Sequence, residues 1–139
     1  MSGLATKETN KSVKDFINSV NPLSKQKDAK VLTEMIEKIS GYEPKIWGDN
    51  FIIGFGKYKY KRKGGKEEFK WFKVGFAPRK TKITIYLTFD INEEIDLVKQ
   101  LGKCKWGKGC LYINKLADIN IDILKQLITK SKDSNWGRN

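Results

Sequence analysis

Hydrophobic positions along the chain change period twice, and each change marks a change of element. Near the start, Val13, Phe16, Ile17 and Val20 recur at three- and four-residue steps, the spacing of one helical face. Ser12-Val13-Lys14-Asp15 precedes them as a capping box with Asp in place of Glu. Asn21-Pro22 interrupts the pattern, and Pro22 suits the first turn of a second helix reaching about Ser40. Ala29, Leu32, Met35, Ile36 and Ile39 form its buried stripe, and Gly41 is its C-cap, with Pro44 just beyond.

From Tyr42 the period falls to two. Lys45–Trp47 and Phe51–Phe55 read as strands joined by the turn Gly48-Asp49-Asn50. Gly56–Arg62 alternates lysine with tyrosine, so its aromatics share one face. Lys63-Gly64-Gly65-Lys66 reads as a hairpin loop. Phe69–Phe76 and Lys82–Phe89 are two further strands, linked through Ala77-Pro78-Arg79-Lys80-Thr81. A helix capped by Asp90 or Asn92 then runs to Leu101 and stops at Gly102. A Lys/Gly loop leads to the strand Cys110–Asn114. A last helix opens near Asp118 or Asn120, with Ile121, Leu124, Leu127 and Ile128 inward.

The order α-α-β-β-β-β-α-β-α, with short turns between consecutive strands, predicts an α+β fold. Its expected form is a two-layer sandwich: a mainly antiparallel sheet of five or six strands, with the N- and C-terminal helices on one face. Residues 10–130 form the single expected domain, between flexible segments 1–9 and 131–139. No run reaches the roughly 18 apolar residues of a membrane span, and the N-terminus lacks a signal-peptide core. A cytoplasmic protein without a membrane partner is expected.

Charge sharpens this picture. The 139-residue chain carries 28 Lys and Arg against 16 Asp and Glu, a formal +12. Residues 57–82 hold eleven Lys or Arg and two acids, and residues 103–115 add four lysines and no acid. Ten of the sixteen aromatics lie between Tyr42 and Phe76, so rings and cations share much of one region. Lysine interleaved with aromatics suits an anionic ligand, either a phosphate-bearing small molecule or single-stranded nucleic acid. The candidate ligand-binding residues are Trp47, Tyr58, Arg79, Lys80, Tyr86, Lys103, Lys105 and Lys108. Lys57, Lys59 and Lys61 add charge, and Tyr60 and Trp106 add rings. The competing reading is a solvated basic face whose aromatics are core, with lysines guarding the strands from aggregation.

The chain has no histidine, which excludes His-based triads, Cys-His pairs and His-containing zinc sites. Cys104 and Cys110 lie six apart, outside C-x-x-C spacing. Cys110 reads as a small buried residue; as a thiol nucleophile in a site with Trp47, Arg79 and Tyr86 it would need another base. Gly54-Phe55-Gly56 lacks the third glycine and the helix of a dinucleotide fingerprint. The run from Gly102 to Gly109 nearly spells a Walker A loop. Gly109 replaces its Ser or Thr, and the loop joins a helix to a strand, the reverse of the required order. A binding module without enzymatic activity and without a cofactor is therefore expected. Asp90, Glu93, Glu94 and Asp96 form a dense acidic cluster at a helix start, where charge complements the dipole. The alternative for these four is a hard-cation site.

Several blocks occur in one order: Gly41-Tyr42-Glu43-Pro44-Lys45-Ile46-Trp47-Gly48, Gly54-Phe55-Gly56-Lys57-Tyr58 and Gly75-Phe76-Ala77-Pro78-Arg79-Lys80. Leu101-Gly102-Lys103, Gly107-Lys108-Gly109-Cys110-Leu111-Tyr112 and Lys115-Leu116-Ala117-Asp118-Ile119 follow. Together, across roughly residues 10–130, they resemble the YdhG-like family, a domain family of unknown function. Ala77 and Gly109 stand where that family usually has serine, so those hydroxyls are absent here. The wider group includes an iron chaperone of frataxin-like fold. The resemblance thus implies a similar sandwich and, as the alternative function, iron delivery to iron–sulfur assembly. Frataxin-type iron binding uses an acidic first helix, whereas residues 1–40 here hold seven lysines and five acids.

Overall fold

The computed structural model describes residues 8–48, 52–61 and 68–134, without the side chains of 59–61 and 68–69. The turn residues Asp49 and Asn50, the loop Lys63–Lys66, Arg62 and the side chains of Lys59, Tyr60 and Lys61 lie outside the described set. Two helices come first, α1 (Val13–Asn18) and α2 (Leu23–Ser40). Six strands follow: β1 (Pro44–Trp47), β2 (Ile52–Phe55), β3 (Tyr58–Lys61), β4 (Glu68–Trp71), β5 (Val74–Pro78) and β6 (Ile83–Leu87). A 3-10 turn (Ile91–Glu94) leads into the short helix α3 (Ile95–Val98). Strands β7 (Lys105–Trp106) and β8 (Cys110–Ile113), a 3-10 turn (Leu116–Asp118) and helix α4 (Ile121–Lys132) complete the order.

The caps read from the sequence are in place. Ser12 Oγ accepts from the Asp15 N–H at 3.1 Å, and Asn120 Oδ1 accepts from Asp122 and Ile123 at the start of α4. Gly41 takes φ +79°, the left-handed conformation that glycine adopts at little cost, and its N–H closes on Glu37 O at 2.8 Å. Helix α2 buries Ala29, Leu32 and Ile36, and α4 buries Ile123, Leu124, Leu127 and Ile128. The two pack side by side against one face of a six-stranded antiparallel sheet of order β1-β2-β5-β6-β8-β7. The expected α+β sandwich is the observed architecture. Its core holds Ile46, Ile53, Phe55, Val74, Phe76, Ile83, Ile85, Leu111 and Ile113 from the sheet, so many of the aromatics and β-branched residues are core.

The predicted strand Phe69–Phe76 is broken in two. Pairs Phe55↔Val74 and Tyr58↔Trp71 keep the same register, so the β3–β4 ribbon continues the β2–β5 hairpin past a bend. Gly56, at φ +71°, makes that bend, where a Cβ would lie 2.7 Å from the Tyr42 ring. The bend frees the Lys73 carbonyl from the ladder. Hydroxyls of Thr88 and Ser131 donate to it at 2.8 and 2.6 Å, and Ser131 Oγ also accepts from the Thr88 N–H at 2.9 Å. This polar knot explains two buried hydroxyl residues inside an apolar interface.

Other expectations shift. The helix expected to reach Leu101 is a 3-10 turn plus one α-helical turn, and the Ile91 N–H at its start, which has no partner within the turn, donates to Lys108 O. The Lys/Gly loop contains strand β7, closed onto β8 by Gly107 N–H to Cys110 O at 2.9 Å. The domain also begins earlier and ends later than 10–130: Glu8 bridges Trp47, Thr9 bonds Ile46 O, and Ser131 is buried within α4. No helix among the described residues is long and apolar enough to cross a membrane.

Candidate functional site: the sheet face turned away from the helices

Strand alternation sends every second side chain to the face opposite α2 and α4. The pairings align them in rows. Lys45, Gly54, Gly75, Tyr86 and Cys110 lie across five strands in one row. Ala77, Thr84, Tyr112 and Lys105 lie in the next.

Half of this face is closed by aromatics. Trp47 and Phe72 lie over the glycines; a Cβ at Gly54 would sit 2.7 Å from the Trp47 ring, and one at Gly75 2.8 Å from Phe72. Trp71 stacks on Phe72 at 4.1 Å between centroids, and Tyr86 meets Phe72 edge-on at 5.9 Å. Trp47 is 1% exposed and Phe72 fully buried, so neither ring is offered to a ligand. Trp47, expected as a binding residue, is a wall of the site.

The other half is basic. The β5–β6 turn, closed by Arg79 N–H to Lys82 O at 2.8 Å, projects Arg79, Lys80 and Lys82 at one end of the sheet. Lys103 and Lys105 reach the same end from the β7 edge. Lys82, Lys103 and Lys105 line a groove of about 310 Å³ with Cys104, Tyr112, Ile113 and Asn114, and no carboxylate is among its lining residues. None of the three lysines forms an ion pair with a described residue.

Titratable groups line the groove and stand beside it. The Arg79 guanidinium lies close enough to the Tyr86 phenol to act on its charge. Burial pushes Tyr86 above the usual tyrosine range, Arg79 pulls it down, and Cys110 pushes it up. Cys110 also raises Tyr112, chiefly by charge repulsion from its thiolate form, with burial and Tyr86 adding to it. Both phenols thus stay neutral at physiological pH. Burial pushes the Cys104 thiol up as well. The floor is anchored from behind. The buried Lys25 ammonium donates to Asn114 O, and Asp28 Oδ2 accepts from the Leu116 N–H at 3.0 Å.

Tyr86, an expected binding residue, belongs to the aromatic half. Of the others, Lys103 and Lys105 line the groove, and Arg79 and Lys80 reach the same end in the β5–β6 turn. Tyr58 and Lys108 do not. Tyr58 lies in the ribbon with the Lys73 ammonium 5.3 Å from its ring centroid. Lys108 occupies the turn at the far end of β7 and β8, where its carbonyl receives Ile91. Lys57 pairs with Glu8 at 2.8 Å, away from the groove. Trp106 packs on the core and donates through Nε1 to Asn92 at 3.1 Å, so it is no stacking platform. Sequence reasoning left out Lys82 and Tyr112; the alternation Lys82-Thr84-Tyr86 and Cys110-Tyr112 is the signal that places them here.

The four acids considered for a cation do not converge. Asp90 caps the 3-10 turn at 3.0 Å from Asn92 N, Glu94 pairs with Lys130 at 2.8 Å, and Glu93 and Asp96 sit near the chain surface. No group of three or more Cys, Asp or Glu side chains suited to a metal ion occurs among the described residues. Comparison with protein-family models, curated proteins and solved structures returns no match.

Proposed function

We propose that this chain is a non-enzymatic binding module of YdhG-like type. It takes an anionic ligand, a phosphate-bearing small molecule or single-stranded nucleic acid, at the basic end of its helix-free sheet face. The ordered motif blocks support the family assignment. The observation that carries the ligand class is the groove of Lys82, Lys103 and Lys105, without a carboxylate in its lining. Three lysines lining one groove raise its positive potential, and an anion bound there is attracted by it. Arg79 adds the fork geometry that suits phosphate. Iron delivery has no comparable support, since the acids stand apart.

The test is a tryptophan-fluorescence titration with a short oligonucleotide and with inorganic pyrophosphate across a salt series. Log K should fall with log[salt], at about −0.7 per phosphate neutralised for a single strand. Binding by at least one of the two should persist near about 0.15 M salt. The triple variant Lys82→Gln, Lys103→Gln, Lys105→Gln should lose it. Equal binding by the variant, or no binding of either probe near that salt, contradicts the proposal.

A further inference from the structure

The groove's shape selects between the two ligand forms, and this inference rests on the proposed reading. A strand binder needs a continuous platform with successive rings for successive bases. Among the described residues this face offers neither: besides Tyr112, its partly exposed rings Trp71 and Tyr86 are packed against Phe72 in the aromatic half. Trp47 and Phe72 are sealed beneath their own cluster, and Trp106 is committed to Asn92 and the core. Tyr112 is the single ring among the groove's lining residues.

The volume agrees. About 310 Å³ is the lower bound of ordinary small-molecule sites, which span about 300–1,000 Å³. Such a site holds one nucleotide, not a strand. The lysines approach from two sides, Lys82 from the start of β6 and Lys103 and Lys105 from the β7 edge. Tyr112, paired with Lys105 across β7 and β8, lies between them. We infer that the groove binds a single nucleoside phosphate, its phosphates held by Lys82, Lys103 and Lys105 and its base stacked on Tyr112.

Calorimetric titration of the full chain near about 0.15 M salt tests this with three probes: ADP, inorganic pyrophosphate and a ten-residue oligothymidylate. ADP should bind one per chain and more tightly than pyrophosphate. Tyr112→Leu should weaken ADP about tenfold, the worth of one stacked base, and leave pyrophosphate unchanged. Lys103→Gln with Lys105→Gln should weaken both. These lysines are exposed, so the fold survives, and circular dichroism of each variant checks it. Oligothymidylate binding without ADP binding overturns this inference and leaves the anion-binding proposal standing. Pyrophosphate binding as tightly as ADP, or ADP binding indifferent to Tyr112→Leu, also overturns it. If none of the three binds, both readings fall.

Discussion

Gly75 shows how a single atom shapes the site. A Cβ there would stand 2.8 Å from the Phe72 ring and 2.9 Å from the Ile53 carbonyl oxygen. The ring can yield, but the backbone of the paired strand cannot without losing its ladder. Gly75→Ala should therefore cost about 1–3 kcal/mol, the usual range for overpacking, seen as a lower urea midpoint at unchanged slope. Tyr86 gives a second residue-scale expectation. Its phenol is raised by burial, so the folded chain holds that proton more tightly than the unfolded chain. The stability this gives is fully present below the unfolded tyrosine value of about 10 and is lost as pH rises through the folded value. Tyr86→Phe should flatten the alkaline fall in stability measured from pH 9 to 11. Lys73, lowered by burial, acts with the opposite sign and is common to both proteins, so it cancels in the comparison.

At the scale of elements, the bend between β4 and β5 needs its hydroxyl knot. Removing either hydroxyl leaves buried polar atoms short of partners. Ser131→Ala and Thr88→Val should each cost about 1–3 kcal/mol. Both hydroxyls serve the Lys73 carbonyl, so the double variant should lose less than the sum of the single losses. Chemical denaturation of all four proteins measures this; strict additivity would mean that the two do not act as one unit. The bend also marks where sequence reading stops. Periods of 3.6 and 2 named the helices and the strands of the main sheet, because each buries one face against a single core. They did not separate β4 from β5, since both halves stay in one register and the break at Phe72 and Lys73 is marked only by the positive φ of Gly56, opposite it between β2 and β3. Strand β7 escaped for a related reason: two residues are too few to show a period, and only the pairing with β8 reveals them.

For the whole molecule, the net charge of +12 said that anions are favoured but not where. The basic segment 57–82 looked like one surface. Folding disperses it: Lys57 goes to Glu8, Lys73 to Ser134 O, and among the described residues only the β5–β6 turn brings its cations to this end of the sheet, Lys82 lining the groove with Arg79 and Lys80 beside it. There they meet Lys103 and Lys105 from a distant part of the chain, a junction that depends on β8 lying between β6 and β7. The aromatics had a similar fate, since the core and the glycine-backed wall took most of those expected to stack. What was legible was the supply of charge and rings; which of them share a face follows from strand order.

The most direct test of the account is backbone amide shift mapping of the labelled chain on titration with inorganic pyrophosphate. Shifts concentrated at Arg79–Thr84, Lys103–Lys105 and Tyr112–Asn114, saturating at one ligand per chain, are the expected result. Shifts spread over all exposed lysines without saturation, or centred on the outer faces of α1 and α2, would contradict the account.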